Sequence, residues 1–229
     1  MTIVFLFKIM EKFKIRTFGR IKSRKLGDIK LKKLEEFFPK FKIEINDEKL
    51  TNFPADNKKL IFEIGFGYGE HTIHQALLNK NFNVVACETY INGVLSLLDK
   101  IETEKVDNIR IFNGDARLLL EKIPNNSIDK IFILFPDPWP KNRQIKKRII
   151  SESFLQLIQS KLKDGGTLFF ASDILDYVEW TCKLAKEKFK PLFNNLEECK
   201  KEPSWWIKTR YQQKAIKEGR ESYFLEFIK

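Results

Sequence analysis

The sequence predicts an α/β fold: a doubly wound, mostly parallel sheet with an antiparallel C-terminal strand. Three observations carry that reading. From residue 59 onward, short apolar runs alternate with amphipathic stretches at the spacing of βαβ units. Runs such as "IFILF" (131–135) are apolar without interruption, as strands covered on both faces are. A glycine-rich turn directly follows the first run and opens a helical pattern, where such sheets place a ligand-binding turn.

In chain order, "KLIFEI" (59–64), "FNVVAC" (82–87), "NIRIFN" (108–113), "DKIFILF" (129–135) and "GTLFFAS" (166–172) read as strands. Helical periodicity lies between and after them, over 70–79, 91–101, 115–121, 147–162 and 174–188. A basic segment, "IKTRYQQKAIKEGR" (207–220), precedes "SYFLEFI" (222–228), which alternates as a last strand. There is no internal repeat and no long linker. The expected organisation is a basic N-terminal extension over 1–42 and one domain over 43–229.

The chain has 229 residues, 43% hydrophobic and 32% charged, the composition of a soluble globular domain. Its formal net charge of +11 invites a polyanionic partner, nucleic acid before membrane. A drift toward lysine in an AT-rich genome would give the same surplus with no partner. Residues 1–42 hold 13 Lys and Arg against 4 Asp and Glu, and "IRTFGRIKSRKLG" (15–27) reads either as an arm that tracks phosphates or as a solvated tail. Three widely spaced cysteines without a CxxC suit a reducing compartment and argue against a disulfide framework or a zinc site. The apolar opening "IVFLF" (3–7) is broken by Lys8 and lacks the flanks of a signal peptide, and Met1 and Met10 are both candidate starts. No run is long enough for a membrane helix, so the expected location is the cytoplasm.

"FEIGFGYGEH" (62–71) places Gly65, Gly67 and Gly69 at the turn, where the backbone bends tightly and approaches a ligand. The GxGxG spacing differs from the dinucleotide GxGxxG and favours S-adenosylmethionine, with Glu63 placed to attract its cationic end. Glu88 ends the second strand, where a carboxylate accepts ribose hydroxyls, a feature shared by NAD proteins. In "NGDAR" (113–117), Asp115 suits an adenine amino group or an N-cap, and Ala116 leaves room for the ring. An NAD-linked oxidoreductase therefore stays open as a rival. His71 and His74 have no third ligand nearby in sequence, and no metal is expected.

The stretch "FPDPWPKNRQIKKR" (135–148) follows a buried strand. Three prolines fix φ and restrict the residues before them, which locks Asp137 at the carboxyl edge of the sheet. Lys141, Arg143, Lys146, Lys147 and Arg148 then fall within eight residues with no acid among them. That pattern suits a phosphate backbone, and Trp139, Trp205, Trp206 and Tyr211 are candidates for stacking or for packing.

Taken together, "EIGFG" (63–67), "FPDPWPK" (135–141), Ser172-Asp173 and Thr209-Arg210-Tyr211 closely resemble the bacterial tRNA (guanine-N7-)-methyltransferase family, from about Phe18 to the C-terminus. The resemblance implies a Rossmann-like enzyme that methylates a guanosine of the tRNA variable loop, position 46 in that family, with S-adenosyl-L-methionine. It implies cofactor contacts from Glu63, Gly65, Glu88, Asp115 and Asp137, with Asp137 also catalytic. Lys141, Asp173, Thr209 and Gln212 would meet the substrate, and Arg143, Lys146, Lys147 and Arg148 would meet RNA. Two departures stand out: Gln212 occupies a position where the family has an acid, and "ASD" (171–173) replaces Lys-Thr-Asp. The alternative is a methyltransferase acting on another RNA, a protein or a small molecule, and monomer or homodimer is left open.

Overall fold

The computed structural model of the chain describes residues 25–46, 49–54 and 56–229, so the basic stretch up to Arg24 lies outside the described residues. Helix α1 (Asp28–Glu36) and a short 3-10 turn (Phe38–Lys40) lead into a small antiparallel hairpin, β1 (Glu44–Asn46) and β2 (Lys49–Thr51). The main unit then runs β3 (Lys59–Ile64), α2 (Glu70–Leu78), β4 (Phe82–Cys87), α3 (Ile91–Glu104), β5 (Ile109–Phe112), α4 (Ala116–Lys122) and β6 (Ile128–Leu134). A 3-10 turn (Asn142–Lys147) follows, then α5 (Glu152–Lys161), β7 (Leu162–Ser172), α6 (Leu175–Ala185), β8 (Lys190–Pro191), α7 (Arg210–Lys217) and β9 (Tyr223–Ile228). The seven strands of the main sheet lie in the order β5-β4-β3-β6-β7-β9-β8.

β3, β4, β5, β6 and β7 are parallel, and β9 enters antiparallel to β7, pairing Ala171 with Phe224. The expected doubly wound sheet with a reversed last strand is present. Because successive strand residues face opposite sides, Phe62 and Ile64 pack with Leu119, Phe154 and Tyr177 under α4, α5 and α6. Ile61 and Val84 pack on the other side with Ile73, Leu97 and Phe169 under α2 and α3. Phe62 is completely buried, and an aromatic so placed contributes roughly 1.5–3 kcal/mol over an exposed one. Among the described residues, no helix is long and apolar enough to cross a membrane.

Packing on the sheet starts before residue 42. Phe38 is 5% exposed, and the Ile111 amide donates to the Phe41 carbonyl at 2.8 Å, so this segment shields the β5 edge. The expected helix over 147–162 is shorter than its periodicity suggests. Ser151 is extended and its hydroxyl accepts from the Phe154 amide at 3.3 Å, which starts α5 one residue later. The residues before it follow their own 3-10 turn, and Leu162 pairs with Ile128 and already belongs to β7.

Candidate active site

The parallel strands end along one edge, and their turns enclose a cavity of about 320 Å³, a size ordinary for a small-ligand site. The glycine turn forms one wall. Gly65, Gly67 and Gly69 have φ of +73°, +61° and +80°, conformations that only glycine adopts at little cost. The Gly65 amide donates to the Cys87 carbonyl at 2.8 Å and the Gly67 amide to Glu88 Oε2 at 2.9 Å, so the turn is anchored on β4. Gly93 in α3 completes the cradle, because a Cβ there would stand 2.1 Å from the Gly67 carbonyl oxygen. The sequence signal for it was a glycine inside a helical run, where glycine is unfavourable without a packing reason.

The carboxylates divide by what already holds them. Glu63 lies behind the wall, 2% exposed, accepting from the Thr72 hydroxyl at 2.7 Å and standing 3.2 Å from His71 Nδ1. It steadies the start of α2 and does not line the cavity. Glu88 does line it, and it accepts from the Thr89 and Tyr90 amides as well as from Gly67. Burial raises its carboxyl above the ordinary range, against those amide bonds. Asp115 caps α4 through the Arg117 amide at 3.0 Å and also holds the Arg117 side chain, with Nη2 at 2.6 Å.

Asp137 is different. It lines the cavity from the proline turn with its side chain exposed to solvent, makes no hydrogen bond or ion pair with another described residue, and has its carboxyl raised by the atoms packed around it. On either side of it, Phe135 and Trp139 take φ of +47° and +43°, strained values for residues with a side chain. An unpartnered anion with a raised pKa, in a cavity that two other carboxylates line, suits a cationic ligand. The Cys87 thiol lines the same cavity, but burial and then the charges of Asp115 and Glu88 push it well up, so it stays protonated and is no nucleophile.

Helix α7 roofs the cavity. Thr209 caps it by accepting from the Gln212 amide at 3.3 Å, and Tyr211 lines the opening, its ring 3.1 Å from where a Gly67 Cβ would stand. Arg210 stacks at 3.8 Å over the ring of Tyr68, which also lines the cavity and gave no signal in the sequence. Burial, then the charges of Glu88 and Asp137, raises the Tyr211 phenol.

Several expected contacts face inward. Gln212 is 1% exposed, donates to Glu202 and accepts from the Trp206 indole, each at 2.7 Å. Trp205 and Trp206 pack with Phe169 and His71, not at the opening. Asp173 accepts from Arg220 Nε at 2.6 Å. Arg148, expected to meet RNA, is 5% exposed in the cavity wall, and its side chain reaches the Pro138 carbonyl and Asp176. Lys141, Arg143 and Lys146 are exposed beside the cavity, and Lys147 lies 4.5 Å over the Trp139 ring. Among the described residues, no three His, Cys, Asp or Glu side chains are grouped to hold a metal ion.

Comparison with known proteins bears on this geometry. Residues 57–225 match a family model described as "Putative methyltransferase". The chain is 37% identical over 221 residues to a tRNA (guanine-N(7)-)-methyltransferase of Roseobacter denitrificans, covering 93% of this chain and 95% of that one. It is 38% identical over 218 residues to the protein of the same name from Rhizobium johnstonii, covering 93% and 94%. Among solved structures it resembles TrmN from Thermus thermophilus, with a TM-score of 0.54 at 14% identity over 76% of this chain and 45% of that one. An antibiotic related methyltransferase gives 0.51 at 16% identity over 90% and 96%. At such identities these two structures speak to the fold alone.

Proposed function

This chain belongs to the tRNA (guanine-N(7)-)-methyltransferase family, and from that membership and the cavity's geometry we propose that it transfers a methyl group from S-adenosyl-L-methionine to N7 of a guanosine in tRNA. The variable loop is the site the sequence resemblance implies, and the cytoplasm, where tRNA is found, the place. The observation that carries the reading is Asp137: a carboxylate braced between prolines, without a hydrogen-bond or ion-pair partner among the described residues, facing a cavity that also offers Glu88 and a glycine cradle.

The residues suit the cofactor. Glu88 is placed for ribose hydroxyls, Asp115 and Ala116 for the adenine edge, and the Gly65–Gly69 turn for close backbone approach. Glu63 serves this cradle from behind, through Thr72. When bound, S-adenosyl-L-methionine supplies an electrophilic methyl group on a sulfonium.

Guanine N7 has an in-plane lone pair and no proton, so the chain needs no strong base and no covalent nucleophile. What it must do is align the acceptor and stabilise positive charge as it appears on the purine. Asp137 does both, as an orienting group and as the counter-charge. Tyr211 lines the cavity opening, where it can pack on the acceptor, while Thr209 and Gln212 act by building the helix end that presents it. In this reading Lys141 and Asp173 would meet the acceptor, and Arg143, Lys146 and Lys147 would contact the RNA backbone.

The test combines labelled S-adenosyl-L-methionine with unmodified tRNA, followed by borohydride and aniline cleavage, which cuts at 7-methylguanosine. Label should enter the tRNA and cleavage should fall at one guanosine. A transcript carrying 7-deazaguanine should accept none; label entering it equally would sink the proposal.

A further inference from the structure

We infer that Arg148 is a positioning residue for Asp137, holding the proline turn from within the cavity wall, although it stands last in a run of cations that reads as a phosphate grip. The catalytic half of this inference rests on the function proposed above. The conformational half rests on geometry alone.

Arg148 closes the 3-10 turn, its amide donating to the Ile145 carbonyl at 2.9 Å. Its side chain does not follow those of Arg143 and Lys146 into solvent. Nε donates to the carbonyl of Pro138, the residue after Asp137, at 2.8 Å. Nη2 pairs with Asp176 in the first turn of α6. The guanidinium carbon lies 4.7 Å from the centroid of the Tyr177 ring and 5.8 Å from that of Trp180. The same two aromatics hold the segment that follows: the Ile150 amide donates to the Tyr177 hydroxyl at 3.3 Å, and Trp180 Nε1 donates to the Ile150 carbonyl at 3.1 Å.

The turn needs such a support. Pro136, Pro138 and Pro140 have no amide hydrogens, so the backbone can make few bonds of its own. Phe135 and Trp139 take left-handed conformations that persist only where the surroundings enforce them. A planar guanidinium can bond the turn on one edge, bond α6 on another and lie against two rings at once; an ammonium cannot. Nη1 is buried without a hydrogen-bond partner among the described residues, but a phosphate that drew the side chain outward would break the bonds of Nε and Nη2.

Arg148→Lys keeps the charge and loses the fork and the stacking. Its kcat should fall roughly 10- to 100-fold, as when a reacting group is misplaced by about an ångström. KM for tRNA and the salt dependence of tRNA binding should not change. In the free protein, hydrogen exchange across residues 135–144 should accelerate, which requires no methyl transfer. A wild-type chain that failed to methylate tRNA would thus defeat the proposed function while the exchange result still decided the role of Arg148. Should Arg148→Lys fail to fold, Asp176→Asn removes an exposed partner and should accelerate exchange over the same segment by a smaller factor. Unchanged exchange in a folded variant overturns the inference. So does weaker tRNA binding with kcat retained and a log–log salt slope lowered by about one.

Discussion

The turns after β3 and β6 leave neighbouring strands and face one cavity, yet they are built on opposite means. The first bends through Gly65, Gly67 and Gly69, whose positive φ values carry little strain. The second bends through three prolines, with Phe135 and Trp139 in positive φ at a cost of roughly 1–3 kcal/mol each. Their acids differ in the same sense. On the glycine side, Glu63, Glu88 and Asp115 are already engaged by Thr72, by three backbone amides and by Arg117. On the proline side, Asp137 has no such partner among the described residues. The acids of the glycine side are tied into the fold; the carboxylate of the proline side is not.

The largest test of that contrast is Asp137→Ala. If the carboxylate orients the acceptor and offsets its developing charge, turnover should fall by about 10²–10³-fold. The variant should keep its melting temperature within a few degrees, so that the loss is not one of folding. Near wild-type turnover on tRNA would erase the distinction between the two turns.

Next comes Gly93→Ala, which acts on the glycine side alone. Its methyl group would meet the Gly67 carbonyl oxygen at 2.1 Å and must push the cradle out of shape. Cofactor affinity by calorimetry should drop on the order of tenfold, about 1.4 kcal/mol, while tRNA binding stays the same. Loss of tRNA affinity instead would show that the cradle serves the wrong ligand.

A milder effect is expected from Arg143→Ala combined with Lys146→Ala. Each lost phosphate contact should lower the log–log salt slope of tRNA binding by about one, with kcat at saturating tRNA little changed. An unchanged slope would return both residues to ordinary solvated surface.

The smallest concerns pH. Burial raises the Asp137 carboxyl, so its protonated form is favoured in the folded state. That contribution is complete below the ordinary carboxylate pKa and is lost as pH rises through the raised value. Asp137→Asn should therefore melt slightly higher than wild type at pH 7, by no more than about 2 °C. The difference should close as pH falls toward about 4. A variant that melts lower at pH 7 would mean that the carboxylate helps hold the free protein together.

The fold was legible because continuous apolar strands and helical periods are properties of single segments. What was missed was short or tertiary: the β1–β2 hairpin has three-residue strands and β8 only two, and α7 lay inside a segment noticed for its charge. Within the site, Glu88, Asp115 and Asp137 were legible because strand ends mark the ligand edge of such a sheet. Direction was not. A count of cations cannot say that Arg148 turns inward while Lys146 turns out, and a motif match cannot say that Gln212 is sealed behind Trp206. Gly93 depends on a contact with Gly67, 26 positions earlier, that exists only once the sheet has formed.

The placement of β9 between β7 and β8 has a consequence for biosynthesis. Both flanking strands are translated before it, and α7, which carries Tyr211, comes only just ahead of it. On the ribosome the cavity thus stays without its covering helix until residue 217 has been made, and the sheet lacks an inner strand until residue 228. A message cut short before residue 210 would encode the glycine turn without the helix that carries Tyr211.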